Sequence, residues 1–213
     1  MTSHDQNETV ANHAAWVVAG DEAGPIGNER LTALTGAVLL VLAAVEIVTV
    51  PTLRAMLSVH FVVGVLLIGP VVVKTASTGY RFIRYYTHAP AYRRKGPPRL
   101  VPRITAPVLL ASTLTLLGSG IALAFAGPAP RPLLALHKAS FLIWTVCLAI
   151  HLISYLRRVP RLVADDWRAP VRPATGRRSR LAVNVIALVA GAIAAILLLP
   201  TTTAWIPWMS GVR

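Results

Sequence analysis

The sequence predicts an all-α integral membrane bundle of five transmembrane helices, four of which form its core. Three observations predict it. The hydrophobic share is 55% against a charged share of 14%, and the mean hydropathy is +0.62. A soluble domain of this length needs far more polar surface, so the apolar excess must face lipid. Five runs, 31–50, 56–79, 104–126, 133–156 and 181–205, are each long enough to cross a hydrocarbon layer about 30 Å thick. The net charge of +13 is also confined to alternate connections.

That confinement sets the expected topology. Seven basic residues lie between Arg81 and Arg103 with no acid among them, and eight more lie between Arg157 and Arg180 against Asp165 and Asp166. The opposite connections carry only Arg54 and Arg131, and the end of the chain Arg213. Basic connections stay on the cytoplasmic side. The second–third and fourth–fifth connections are therefore read as inside, with the N-terminus inside and the C-terminus outside. Topology and anionic lipid account for these basic loops, so nucleic acid is not an expected partner.

Residues 1–30 are polar and include Asp5, Glu8, Asp21, Glu22 and Glu29. They lack the basic start and short apolar core of a cleaved signal peptide, so the first span is expected to be retained. The segment reads as a cytoplasmic tail in which His4 and His13 are ordinary surface residues, with a short apolar stretch at 14–19. Pro51 breaks the first hairpin. Tyr80, Phe82, Tyr85 and Tyr86 interleave with Arg81 and Arg84, as at a helix end among lipid headgroups. Gly96-Pro97-Pro98 suits an extended excursion. Gly127, Pro128, Pro130 and Pro132 mark a tight turn between spans three and four. The domains expected are thus the tail, a four-helix core at 31–156, a basic cytoplasmic loop at 157–180, and a fifth span with an outer tail at 181–213.

The histidines carry the chemistry. His137 and His151 are fourteen residues apart, as are His60 and Lys74. Fourteen helical residues rise about 21 Å and return to within roughly 40° of the same face. His60 and His137 fall near the outer ends of spans two and four, and Lys74 and His151 near the inner ends. In an up-down bundle those two helices are parallel and diagonally opposed. Intramembrane imidazoles normally face the bundle interior, and a neutral imidazole from each side supplies both axial ligands of a haem iron. His60 and His137 are therefore expected to hold an outer haem b, non-covalently because no CxxCH signature is present.

His151 is the expected ligand of an inner haem, and its partner is open. Lys74 can snorkel to the headgroups, pair with a propionate, or ligate as a deprotonated amine. His88 lies twenty-eight residues beyond His60 and would have to fold back. Gly64, one turn from His60, gives a porphyrin face room to approach or serves helix packing. Trp144, midway between the two histidines of span four, either fills the space between macrocycles or packs as core. Glu46 is protonated or paired with Arg54, or serves a proton path to a quinone site. Cys147 reads as a small buried side chain.

Spans with histidines at both ends of one helix resemble the di-haem b-type membrane cytochromes, including anchor subunits of bacterial hydrogenases and formate dehydrogenases. The likeness covers roughly 31–156 and rests on His60, His137 and His151, with Gly64 as support. The stretches Gly69-Pro70-Val71-Val72-Val73-Lys74 and Thr78-Gly79-Tyr80-Arg81-Phe82 look like an actinobacterial branch; Lys74 departs from a symmetric second site. The resemblance implies electron transfer between quinone and a partner redox subunit. No nucleotide fingerprint, phosphate loop or cysteine cluster is present, so the chain reads as an electron-transfer subunit of an oxidoreductase. An autonomous transmembrane reductase and a haem-free transporter or assembly protein are the rival readings.

Overall fold

The computed structural model describes residues 3–94, 100–155, 160, 163–164 and 176–211. Every regular element among the described residues is helical: α1 (Ser3–Thr49), α2 (Leu53–Tyr86), α3 (Pro90–Arg94), α4 (Leu100–Ala126), α5 (Arg131–Tyr155), α6 (Arg177–Leu198), a 3₁₀ segment (Leu199–Trp205) and α7 (Ile206–Ser210). Five stretches are long and apolar enough to cross a membrane: Gly24–Thr49, Leu53–Tyr86, Arg103–Ala126, Arg131–Tyr155 and Arg177–Ser210. Their outward side chains are apolar; Ile153 and Leu197 are 74% and 72% exposed. A surface of that kind belongs in lipid rather than water. The protein is a multi-pass membrane protein.

The first thirty residues, expected as a polar tail, are helical from Ser3. α1 begins at Ser3 and runs through Pro25 to Thr49. The helix ends where Pro51 and the turn before α2 interrupt it. The proposed extended excursion at Gly96-Pro97-Pro98, and most of the basic loop with Asp165 and Asp166, lie outside the described residues.

Two hairpins form the core. α1 packs along α2 and α4 along α5, while α2 also meets α4. The α4–α5 turn is tight because Gly127 takes φ +69° and its N–H closes on the Leu123 carbonyl at 2.9 Å. α6 lies against α2 on the face opposite His60, where a Cβ at Gly69 would run into the Ala187 carbonyl and one at Gly191 would come within 3.0 Å of the Leu66 carbonyl. Small residues thus let the two backbones touch, as packing between membrane helices requires.

The end of the fifth span packs back on α4. Trp205 is buried and its indole N–H donates to the Leu123 carbonyl of α4 at 2.8 Å. Trp208 packs edge-on against it and lies under the Arg54 guanidinium at 5.3 Å. At the other end of the bundle, α2 finishes in a Schellman turn. His88 adopts φ 62°, with Ala89 N–H bonded to the Arg84 carbonyl and His88 N–H to the Tyr85 carbonyl. Glycine is the usual residue at that position, and its absence hides the turn from a sequence reading.

Candidate functional site

Between the hairpins lies a chamber of about 1880 Å³, beyond the roughly 300–1,000 Å³ of an ordinary small-molecule pocket. Heptad spacing builds two of its walls. His60, Leu67, Lys74 and Arg81 of α2, and His137, Trp144 and His151 of α5, all line it. Seven residues are nearly two turns, so each set forms one stripe down its helix.

At one end the stripes meet. The His60 and His137 rings have centroids 6.5 Å apart with planes at 80°, crossed rather than stacked. Two metal–nitrogen bonds of about 2 Å plus two ring radii place the centroids of an axial imidazole pair roughly 6 Å apart. The separation therefore suits one metal ion between the rings.

A buried hydroxyl stands at each ring. The Thr49 hydroxyl is 2.6 Å from the Glu46 carbonyl and 2.8 Å from His60 Nδ1. The Ser119 hydroxyl is 3.1 Å from the Leu116 carbonyl and 2.9 Å from His137 Nδ1, and the Leu116 carbonyl also hydrogen-bonds His137. With each hydroxyl proton given to its helix carbonyl, both imidazoles carry the proton on Nδ1 and offer the lone pair on Nε2. Oriented, neutral histidines with an outer-shell acceptor on the far nitrogen are the usual arrangement of metal-ligating imidazoles. Thr49 and Ser119 are buried, 1% and 5% exposed. Gly120 keeps His137 in place, since a Cβ there would lie 3.2 Å from its Cε1.

Glu46 meets His60, not Arg54. Its Oε1 is 3.2 Å from His60 Nδ1, and its buried Oε2 has no hydrogen-bond partner among the described residues. Arg54 turns to Trp208 instead. Gly64 also lies beside Glu46, with a Cβ position 3.2 Å from Oε1. That close approach is a packing reason for glycine at this position.

The other end of the chamber is less symmetric. The Lys74 ammonium donates to the Thr32 carbonyl of α1 at 2.6 Å, and Gly36 makes room, since a Cβ there would be 2.8 Å from Nζ. Lys74 is thus drawn across to α1 and does not snorkel. Beside it, Thr32 donates to the Asn28 carbonyl and contacts the Ser77 hydroxyl, while the Asn28 amide donates to the Ser77 carbonyl. His151 Nδ1 is buried without a hydrogen-bond partner among the described residues, and its ring lies 4.8 Å from that of Tyr155. Trp144 is 9% exposed and stacks on Phe141. His88 does not line the chamber.

The donor set decides what fits. Among the described residues no group of three or more His, Cys, Asp or Glu is placed to hold a bare metal ion. A porphyrin brings four nitrogens of its own and asks the protein only for axial donors, which the two crossed imidazoles can supply. No protein family, curated protein or solved structure matches the chain.

Thr49 and Ser119 were not singled out as site residues from the sequence. The available signal was a lone hydroxyl at the depth of each histidine. Trp205 and Trp208, which line the His60 end of the chamber, were missed because span five carries no histidine.

Proposed function

We propose that the protein is a membrane-bound b-type electron carrier in which His60 and His137 hold a haem, with electrons exchanged between a quinone pool and a partner redox protein. One observation carries the reading: two intramembrane imidazoles with ring centroids 6.5 Å apart, each with Nδ1 within hydrogen-bond distance of a buried hydroxyl. A haem held there supplies reversible one-electron chemistry.

The chain's own contributions are positional. Thr49 and Ser119 meet the Nδ1 side of each ring, and Gly120 leaves the His137 ring its space. Trp205 and Trp208 cover that end of the chamber against water, which keeps the local dielectric low. His151 offers an axial donor for a second haem. The basic connections put the N-terminus in the cytoplasm and the C-terminus outside, across a bacterial plasma membrane.

The test is a reduced-minus-oxidised spectrum with haem-to-protein stoichiometry on the chain purified after expression with ample haem. A low-spin signal in electron paramagnetic resonance that is lost in His60→Ala and in His137→Ala is the expected result. A colourless preparation, or a low-spin signal that survives both substitutions, overturns the reading and favours a transporter or assembly role.

A further inference from the structure

The α2 stripe does not stop at Lys74. One heptad on, about 10 Å along the helix, Arg81 lines the same chamber, and Arg103 of α4 faces it as well. The only carboxylate lining this end among the described residues is Glu29. Arg103 is anchored by a 2.8 Å hydrogen bond to the Tyr86 hydroxyl. Toward the middle of the chamber the walls turn apolar, with Leu67, Val71, Leu148 and Trp144. One end of a long apolar space therefore carries cations.

Lys74 is positioned for recognition. One of its three donors is spent on Thr32, and the seat over Gly36 holds Nζ at the wall. Among the described residues no other acceptor meets the remaining donors. A charged ammonium within a membrane span is costly unless an anion compensates it. Across the chamber, His151 Nδ1 also lacks a hydrogen-bond partner among the described residues.

We propose that this end of the chamber binds an amphiphile with a terminal oxyanion, its head held by Lys74 and Arg81 and its apolar body lying toward Trp144. The site is about 21 Å along the helix from His60, so it is separate from the imidazole pair and does not depend on iron there. Two sources share this chemistry: the carboxylate or phosphate head of a membrane lipid, and the propionate edge of a second haem.

The experiment uses the full chain purified in detergent, with a nitroxide-labelled stearate and its methyl ester as probes and the haem content measured in parallel. If the head belongs to a free lipid, the chain immobilises the labelled acid but not the ester. Lys74→Met then weakens that binding at least about tenfold, the loss of one charge-assisted hydrogen bond. Lys74→Arg restores most of it, and Arg131→Met, on the exposed end of α5, changes nothing. If the head belongs to a second haem, the acid does not bind and haem content falls from two to one per chain in Lys74→Met. Arg81→Gln repeats either comparison without disturbing the Thr32 contact. Equal acid binding and equal haem content across the wild type, Lys74→Met and Arg81→Gln overturns the proposal, as does equal binding of the ester. Binding of the acid by a haem-free chain leaves this site standing while removing the proposed cytochrome function.

Discussion

Thr49, the last residue of α1, stands 2.8 Å from the Nδ1 of His60 on α2. The contact joins the end of one helix to the chemistry of the next. Pro51 stops α1 at a level where its final hydroxyl can meet an imidazole eleven residues later. Ser119 of α4 repeats the relationship with His137 of α5. Each hairpin therefore supplies one imidazole and a buried hydroxyl that meets its Nδ1.

If His60 and His137 hold a haem as proposed, removing those hydroxyls should loosen it without removing either imidazole. Thr49→Val and Ser119→Ala are each expected to weaken haem retention by about 10–100-fold, measured as transfer to an apoprotein scavenger, while the low-spin signal persists. Glu46 remains near His60 Nδ1 and the Leu116 carbonyl beside His137, so each effect should fall at the low end of that range. Retention unchanged in both variants would show that tautomer control is not needed here.

Topology gives a second test. Reporter fusions after Arg94, Pro130, Arg172 and Arg213 are expected inside, outside, inside and outside, from the basic excess of the two inner connections. A C-terminal reporter on the inside would demand an even number of crossings.

The contact between α2 and α6 gives a third. Gly69→Leu places a large side chain against the Ala187 carbonyl and is expected to destabilise the bundle by roughly 1–3 kcal/mol, seen as a lower detergent-solution melting temperature. The axial-pair signal should be retained at low temperature, because this contact lies on the α2 face away from His60. Loss of the signal in folded protein would mean that α6 supports the imidazoles directly.

His88 gives the fourth. Its φ of 62° lies in the left-handed region, which costs a side-chain-bearing residue about 1–2 kcal/mol. His88→Gly relieves that strain but adds chain entropy to the unfolded state, so a net gain of about 0.5 kcal/mol is expected in thermal unfolding. A clear loss would point to a contact made by the imidazole itself.

The spans were legible because lipid demands long apolar runs, and the depth argument needed only the positions of prolines and basic loops. The facing of His60 toward the chamber followed from heptad spacing with Lys74. Other features left little trace. Lys74 finds a backbone carbonyl, Thr32 O, which every residue possesses and no composition reveals. The pairing of Glu46 with Arg54, one alternative that sequence proximity offered, does not form, because His60 and Trp208 stand nearer in space. Helical structure through Pro25 was obscured by the acidic, polar character of the first thirty residues.

The hydrogen bond from Trp205 to the Leu123 carbonyl spans 82 positions of chain. A ribosome delivers α4 and α5 well before it delivers Trp205, since synthesis runs at about 5–20 residues per second. The indole can close the His60 end of the chamber only after the fifth span has entered the membrane. Biogenesis thus contains an interval, several seconds long at that rate, in which the imidazole pair is assembled and its doorway stands ajar. Insertion of the fifth span then acts as a latch over that end of the chamber.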